Sequence, residues 1–160
     1  MHPATVAAVF LLSGTARVDV SPFPASDHRG EVRVTVSPGA RPGHVSLRLE
    51  SDGYSCDLDA ARSPDGLLDL SVPATCSVDV ARREARGHVD ATLRSGRGTL
   101  RGDHLTLELR FDVSGRIATR IARTRLEVLG AEIVVPEGWT PAAPVRGTVV
   151  SRGSGSRQGR

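Results

Sequence analysis

The sequence predicts an all-β fold, an antiparallel meander that forms a single β-sandwich or a small β-barrel. Three observations lead to this prediction. From residue 30 onward apolar side chains recur at every second position, which is the period of a strand with one buried face. Turn signals with Gly, Pro or Asp separate these runs at intervals of about 8 to 12 residues. The chain has 160 residues, 39% of them hydrophobic, which is enough for one compact core.

The first element is the apolar run ATVAAVFLL at residues 4–12, which is followed by the small residues Gly14 and Ala16. This pattern is typical of a signal peptide that is cleaved after Ala16, so residues 1–16 are a candidate leader. The run is too short for a transmembrane span, and only His2 precedes it where a leader usually carries a basic residue. The alternative is a buried N-terminal strand in a chain that is not exported.

Residues 17–150 are predicted to form one β-domain. Its first strands have alternating runs of apolar residues on the inward side, separated by Pro, Gly and Asp. The inward positions are Val32, Val34 and Val36; Val45, Leu47 and Leu49; Tyr54, Cys56 and Leu58; Leu68 and Leu70; and Cys76, Val78 and Val80.

The two cysteines, Cys56 and Cys76, share the inward parity of their apolar neighbours and enclose a turn signal at 63–66. The strands that carry them can therefore be neighbours, and a disulfide would contribute roughly 3 kcal/mol by closing a loop of about 20 residues. Neither cysteine has a CxxC partner or a histidine at metal-ligand spacing, so a zinc or thioredoxin-like site is not expected. Two buried thiols or a catalytic cysteine are the alternatives. A disulfide together with a leader predicts a periplasmic or extracellular location.

The second half of the chain continues the same organisation. Its predicted strands span residues 89–93, 105–113, 117–128, 133–135 and 145–150. Turns are predicted at 96–98 and at Ser114-Gly115, the latter as a two-residue hairpin. Thr119 and Thr124 favour a strand over a helix in the segment 117–128, with a bulge at 122–124 where the apolar parity changes.

Arginine supplies all 21 basic residues, against 18 acidic residues, and lysine and asparagine are absent. This usage is typical of GC-rich codons and predicts a bacterial source. Residues 151–160, SRGSGSRQGR, carry three arginines and no acid, and they are predicted to form a disordered basic tail. Residues 1–150 are then neutral in formal charge, and with only 3% aromatic residues a nucleic-acid partner is not expected.

The segment CSVDVARREARGHVDATLRSGRGTLRGDHLTLELRFDV resembles small, uncharacterised secreted β-rich proteins of GC-rich bacteria. The resemblance covers about a third of the chain. It implies secretion and a β-fold, and it implies no activity.

A cluster of arginines is the first candidate partner contact: Arg116, Arg120, Arg123 and Arg125. Four positive charges within ten residues could bind phosphate, a lipid headgroup or an acidic partner. The alternative is a solvated strand face that pairs across the predicted hairpin with acidic residues at 108 and 112.

Trp139, the only tryptophan, is the second candidate contact. It lies in a Pro-rich loop outside any alternating run. It could form a lid over the core or an exposed anchor for a partner, because interface anchors are often tryptophan.

No catalytic, cofactor-binding or metal-binding motif stands out. There is no GxSxG elbow for a serine hydrolase. His88 and Asp90 share an outward face, and Asp103-His104 on the adjoining turn could join them in a cross-strand cluster, but outward parity indicates solvated residues. Arg101-Gly102-Asp103 matches the integrin-recognition tripeptide, for which ordinary turn chemistry is the alternative.

The sequence therefore predicts a non-enzymatic domain without a cofactor, structural or partner-binding in the cell envelope. An exposed strand edge or the Trp139 loop would make the contact, and edge strands could also pair into oligomers. The alternative is a lipocalin-like carrier that holds a lipid or other apolar ligand in a barrel, because short inward side chains such as Val32 and Ala91 leave room. A cavity of several hundred cubic ångströms would favour the carrier.

Overall fold

The computed structural model describes residues 7–51, 54–71 and 73–159, and these residues form strands and turns without a helix. The fold is all-β and antiparallel, as predicted. The strands are β1 (Ala8–Ser21), β2 (Ser26–Pro38), β3 (His44–Ser51), β4 (Tyr54–Arg62), β5 (Leu67–Asp69), β6 (Thr75–Ala81), β7 (Ala85–Arg101), β8 (His104–Ile121), β9 (Thr124–Val128), β10 (Ala131–Val135), β11 (Gly138–Trp139) and β12 (Ala143–Ser156).

The main sheet curls into a barrel-like ring. The order of its neighbours is β8-β12-β1-β2-β3-β4-β5-β7, and β7 pairs again with β8 to complete the circuit. β6 follows β5 along the same edge of β7, so the two short strands share one position in the wall. Each strand alternates inward and outward side chains, which gives the ring an apolar interior and a charged outer surface.

One side of the ring is incomplete. β2 pairs with β3 only from Arg33 to Pro38, and among the described residues no strand covers the same edge of β2 at 26–32. β6 likewise pairs only with β7. The β3–β4 hairpin lies between β2 and β6. Its strands end at Ser51 and begin again at Tyr54, so the hairpin extends less far toward this end of the barrel than β2 and β6 do. A notch therefore opens between the edges of β2 and β6.

Buried side chains form two separate clusters inside the ring. The larger cluster fills the end opposite the notch and includes Phe10, Leu47 and Leu105. The smaller cluster consists of Val20, Val89, Val113 and Val145 and lines the other end. The short valines of this second cluster do not fill the interior, which leaves space between the clusters.

Two predicted turns are wrong, because the structure continues through both. β7 passes through 96–98 with a bulge between Leu93 and Ser95, which switches the inward residues from odd to even numbers. β8 passes straight through Ser114-Gly115. Gly115 lies beside the His88 carbonyl oxygen of β7, and a Cβ atom there would clash with that backbone. The glycine permits close approach of two strands rather than a turn.

Both chain ends differ from the expected leader and tail. Residues 8–16 form the first part of β1, between β2 and β12, which is the buried-strand alternative; residues 1–6 lie outside the described residues. Residues 151–156 complete β12 and pair with both β1 and β8, so the predicted disorder of 151–160 is wrong for this part. Partners on both sides satisfy the backbone and order a segment that has few apolar side chains. Cleavage after Ala16 stays a prediction.

β9 and β10 form a separate two-stranded sheet that leaves the barrel after β8. The predicted bulge at 122–124 is the place where the chain leaves the ring. The hairpin returns at β11, whose two residues pair with Arg120 and Ile121.

Candidate functional site

The interior of the ring contains a cavity of about 790 Å³. Its walls are mainly apolar and come from nearly every strand of the ring. They include Leu12 and Val18 from β1, Val32 and Val34 from β2, Leu49 from β3, Val78 and Val80 from β6, Val89 and Ala91 from β7, Phe111 and Val113 from β8 and Val149 from β12. Small inward residues, Gly14 and Ala16 in β1 and Gly153 in β12, create part of this space because they project little or no side chain.

Polar side chains line the cavity where it reaches the notch and the nearby rim. Ser26 and His28 come from the free edge of β2 and share the inward parity of Val34, and Arg82 follows β6. Arg29 and Glu31 of the same edge have the outward parity and also border the cavity. The Ser26 hydroxyl and His28 Nε2 are 2.8 Å apart and form a hydrogen bond. The site thus combines an apolar chamber with charged and hydrogen-bonding groups at its opening, an arrangement that suits a ligand with an apolar body and a polar end.

Tyr54 begins β4 and lines the cavity beside the notch. Burial raises the pKa of its phenol above the ordinary value of 10.0, because the phenolate would lose hydration. Its hydroxyl is therefore a neutral hydrogen-bonding group at physiological pH.

The Cys56–Cys76 disulfide joins β4 to β6 at the inner end of the notch, with the two Cα atoms 5.4 Å apart. Both cysteines are buried and line the cavity. The β4–β5 hydrogen-bond ladder includes only Ala61 and Arg62 of β4, so the disulfide joins these walls where backbone pairing has ended. The predicted pairing is present in the structure.

A second depression, of about 960 Å³, lies on the outer surface of the barrel. It is wide and open to solvent, and its floor includes the Arg97–Glu108 and Arg152–Glu108 ion pairs, with N–O distances of 3.4 Å. Surface ion pairs of this kind contribute little to stability or binding. The enclosed, apolar chamber is the better candidate for a ligand site.

Trp139 is half-buried in β11, and the Arg86 guanidinium lies 4.3 Å from the centre of its ring. This cation–π contact covers one face of the indole, so the ring is partly occupied by the protein itself. An anchoring role for Trp139 stays a prediction, with only the remainder of the side chain available to a partner.

Three of the four arginines of the predicted patch contact neighbouring groups of the protein. Arg116 donates a hydrogen bond to the Ala142 carbonyl at 3.0 Å, Arg120 pairs with Glu137, and Arg125 pairs with Glu132 at 3.5 Å. The expected pairing with the acidic residues at 108 and 112 is absent because 108–121 is a single strand. Arg123 lies at the base of the β9–β10 hairpin, where it is exposed.

The predicted His–Asp cluster is only partly present. His88 Nδ1 lies 2.8 Å from Asp79, and Nε2 lies 3.2 Å from Asp90. The hydrogen bond with Asp79 raises the pKa of His88 above its ordinary value of 6.5, and Asp90 adds a smaller effect in the same direction. A hydrogen bond from Ser77 lowers the pKa of Asp90. Asp103-His104 lies at the opposite end of the β7–β8 pair. All these residues face solvent, and among the described residues no three His, Cys, Asp or Glu side chains meet as a metal site.

Arg101-Gly102-Asp103 forms the tip of the β7–β8 hairpin, as the sequence predicts. Gly102 takes a φ of 57°, which a turn of this kind requires. A role in adhesion stays untested.

Several cavity residues were not recognised as such from the sequence. Gly14 and Ala16 were assigned to the leader, and Ser151 and Gly153 to the tail. A signal was present, because small or apolar residues occupy every second position from Leu12 to Val20 and from Val145 to Gly155. His28 and Arg82 lie at strand ends and carry no comparable signal.

The fold and this chamber define an all-β, barrel-like protein with an apolar internal cavity and a disulfide beside its opening. The described residues contain no helix that could cross a membrane. Comparison of the chain with family models, curated proteins and solved structures finds no match. The resemblance to small secreted β-rich proteins therefore stays a prediction.

Proposed function

We propose that this chain is a non-enzymatic extracytoplasmic domain of a bacterial envelope that binds an apolar or amphiphilic small molecule inside its barrel. The observation that carries the proposal is the cavity of about 790 Å³ between two core clusters. Ligand chambers usually have volumes of roughly 300–1,000 Å³, whereas well-packed cores contain few voids larger than a water molecule. This favours the carrier over a purely structural domain.

The shape and chemistry of the chamber indicate the class of ligand. The walls can enclose an alkyl or polycyclic body, and Arg82 and His28 near the opening suit a carboxylate, phosphate or hydroxyl end. The disulfide supports an oxidising, extracytoplasmic compartment. No cofactor is required by this function.

Filling the chamber tests the proposal. Ala91→Phe would place a ring in the cavity, so binding of the fluorescent probe 1-anilinonaphthalene-8-sulfonate should fall by at least about tenfold while the melting temperature stays constant or rises. Ser114→Phe is the matched control. Ser114 follows Val113, the residue that pairs with Ala91 across β7 and β8, but its side chain is exposed and faces outward, so the added ring would lie outside the cavity. Its probe binding should match that of the wild type.

The free energy of unfolding of Ala91→Phe provides a second test that does not depend on the probe. If the core were packed solid, Ala91→Phe would destabilise the protein by about 1–3 kcal/mol through overpacking. A large loss of stability in this variant, with no probe binding by the wild type, would contradict the carrier proposal.

The edges of β2 and β6 that no described strand covers favour a second candidate, a protein partner that adds a strand at the notch. A synthetic peptide with alternating Val and Thr residues would then protect the backbone amides of 26–32 from hydrogen exchange. Probe binding in the chamber without such protection would leave the small-molecule function as the better account.

A further inference from the structure

The exposed apolar residues of this protein are concentrated at one end of the barrel. Eight large hydrophobic side chains are exposed among the described residues, and all except Leu67 belong to the end of the barrel that carries the β1–β2 loop and the C-terminal end of β8. The rim residues are Phe23, Ile121, Leu126, Val128, Leu129, Ile133 and Val134. Exposed apolar groups that cluster in this way mark an interaction surface.

The β9–β10 hairpin contributes most of these residues. Its register places Leu126 opposite Ile133 and Val128 opposite Ala131, so that one face of the hairpin is apolar and exposed. The tip residue Leu129 is 103% exposed, the highest value among these side chains. Burial within the barrel does not explain these side chains.

The β1–β2 loop supplies a second apolar projection. Phe23 is 40% exposed, and its backbone N–H donates a hydrogen bond to the Val20 carbonyl at 2.9 Å, which fixes the loop beside the end of β1. In the ring, β12 and β1 separate β8, from which the hairpin leaves, from β2. The hairpin and the Phe23 loop therefore project from different parts of the same rim.

Arginines outnumber acidic residues in the segments that form this rim. The segments 17–29, 79–88 and 114–147, which form this end, contain ten arginines and seven acidic residues, and the whole chain has a formal net charge of +3. Arginines around apolar projections are the arrangement that attracts a protein to anionic headgroups.

We propose that this rim docks on the surface of an anionic lipid bilayer. The side chains of Leu129, Val128 and Phe23 enter the boundary between headgroups and acyl chains, and the rim arginines contact lipid phosphates. Glu127 and Glu132 pair with each other across the hairpin, next to the pair Val128–Ala131 that precedes the turn. Because burying these carboxylates in the acyl region is costly, only the tip of the hairpin inserts. A bilayer suits two separated projections because it is fluid, whereas a folded partner would need a continuous complementary surface. The inference rests on the rim alone and is independent of what the cavity holds.

Co-sedimentation of the full chain with vesicles tests the inference. We expect binding to phosphatidylcholine vesicles that contain phosphatidylglycerol, and binding weaker by about tenfold or more to phosphatidylcholine alone or in high salt. Leu129→Glu should weaken binding to the anionic vesicles by about tenfold without lowering the melting temperature, because the side chain is fully exposed.

Leu67→Glu is the control, since Leu67 is an exposed leucine, 49% exposed, whose strand β5 pairs with β7 near the β7–β8 hairpin tip at the opposite end of the barrel. It should bind anionic vesicles like the wild type, and Ala91→Phe should do so too, which separates docking from ligand binding. Equal losses in Leu129→Glu and Leu67→Glu, or no sedimentation of the wild type, would overturn the inference. Self-association that Leu129→Glu abolishes, without vesicle binding, would assign the rim to a second copy of the chain instead.

Discussion

Gly14 of β1 and Gly30 of β2 face each other in the wall of the barrel, yet the structure gives them different requirements. A Cβ atom on Gly14 would overlap the Arg152 carbonyl oxygen and lie 2.7 Å from the Gly153 Cα atom, both of them backbone atoms of β12. A Cβ atom on Gly30 would meet nothing within 4 Å. The close approach of β1 and β12 therefore depends on a glycine at one of these two positions only.

We accordingly expect Gly14→Ala to lower the free energy of unfolding by about 1–3 kcal/mol, because β1 and β12 must separate to admit the methyl group. Thermal unfolding would show a decrease of roughly 2–4 °C for each kcal/mol in a chain of this size. Gly30→Ala is the control and should leave the melting temperature unchanged or slightly raised. Equal effects of the two substitutions would show that β12 does not pack against β1 as described.

At the scale of the elements, the two interpretations of residues 8–16, a cleaved leader or the first half of strand β1, predict different behaviour of a shortened chain. Phe10 and Leu12 are 1% and 4% exposed, and residues 13–16 pair with β2 and β12. We expect a chain that begins at residue 17 to lose cooperative unfolding, measured by circular dichroism during heating, because β2 and β12 would each lose a partner and the core would lose two large side chains. Retention of cooperative unfolding by this truncated chain would support cleavage after Ala16.

The disulfide is the second feature that acts between elements, since it joins β4 to β6, which share no backbone ladder among the described residues. Replacing Cys56 and Cys76 together by serine should remove roughly 3 kcal/mol for the loop of 20 residues, which corresponds to a melting temperature lower by about 6–12 °C. Adding a reductant to the wild type should reproduce most of this decrease and should leave the double variant unaffected. A reductant that has no effect on the wild type would contradict the bridge.

At the scale of the whole molecule, the separation of the core into two clusters explains how a small barrel can be stable and hollow. The larger cluster supplies the long Leu and Phe side chains, such as Phe10 and Leu105, that pack one end. The smaller cluster surrounds the other end with valines, which cover the wall without filling it. The packed core and the cavity thus lie toward opposite ends of the barrel, and the notch and the apolar rim lie at the hollow end.

Much of this arrangement could be predicted from local pattern. Alternation gave the all-β class and the inward side of nearly every strand, because a strand projects successive side chains to opposite faces wherever it lies. The shared parity of Cys56 and Cys76 predicted their pairing for the same reason. The carrier alternative also came from the sequence, through the short inward residues Val32 and Ala91.

By itself, then, the sequence determined the class of fold and the inward side of most strands, and it made the Cys56–Cys76 disulfide the expected pairing. The tertiary structure alone decided where strands end, that residues 8–16 and 151–156 belong to the barrel, and that a cavity, a notch and an apolar rim exist. The physical reason is that these features depend on partners distant in the chain. Ser114-Gly115 reads as a turn until β7 and β12 lie on either side of it, and SRGSGS reads as disorder until β1 and β8 satisfy its backbone.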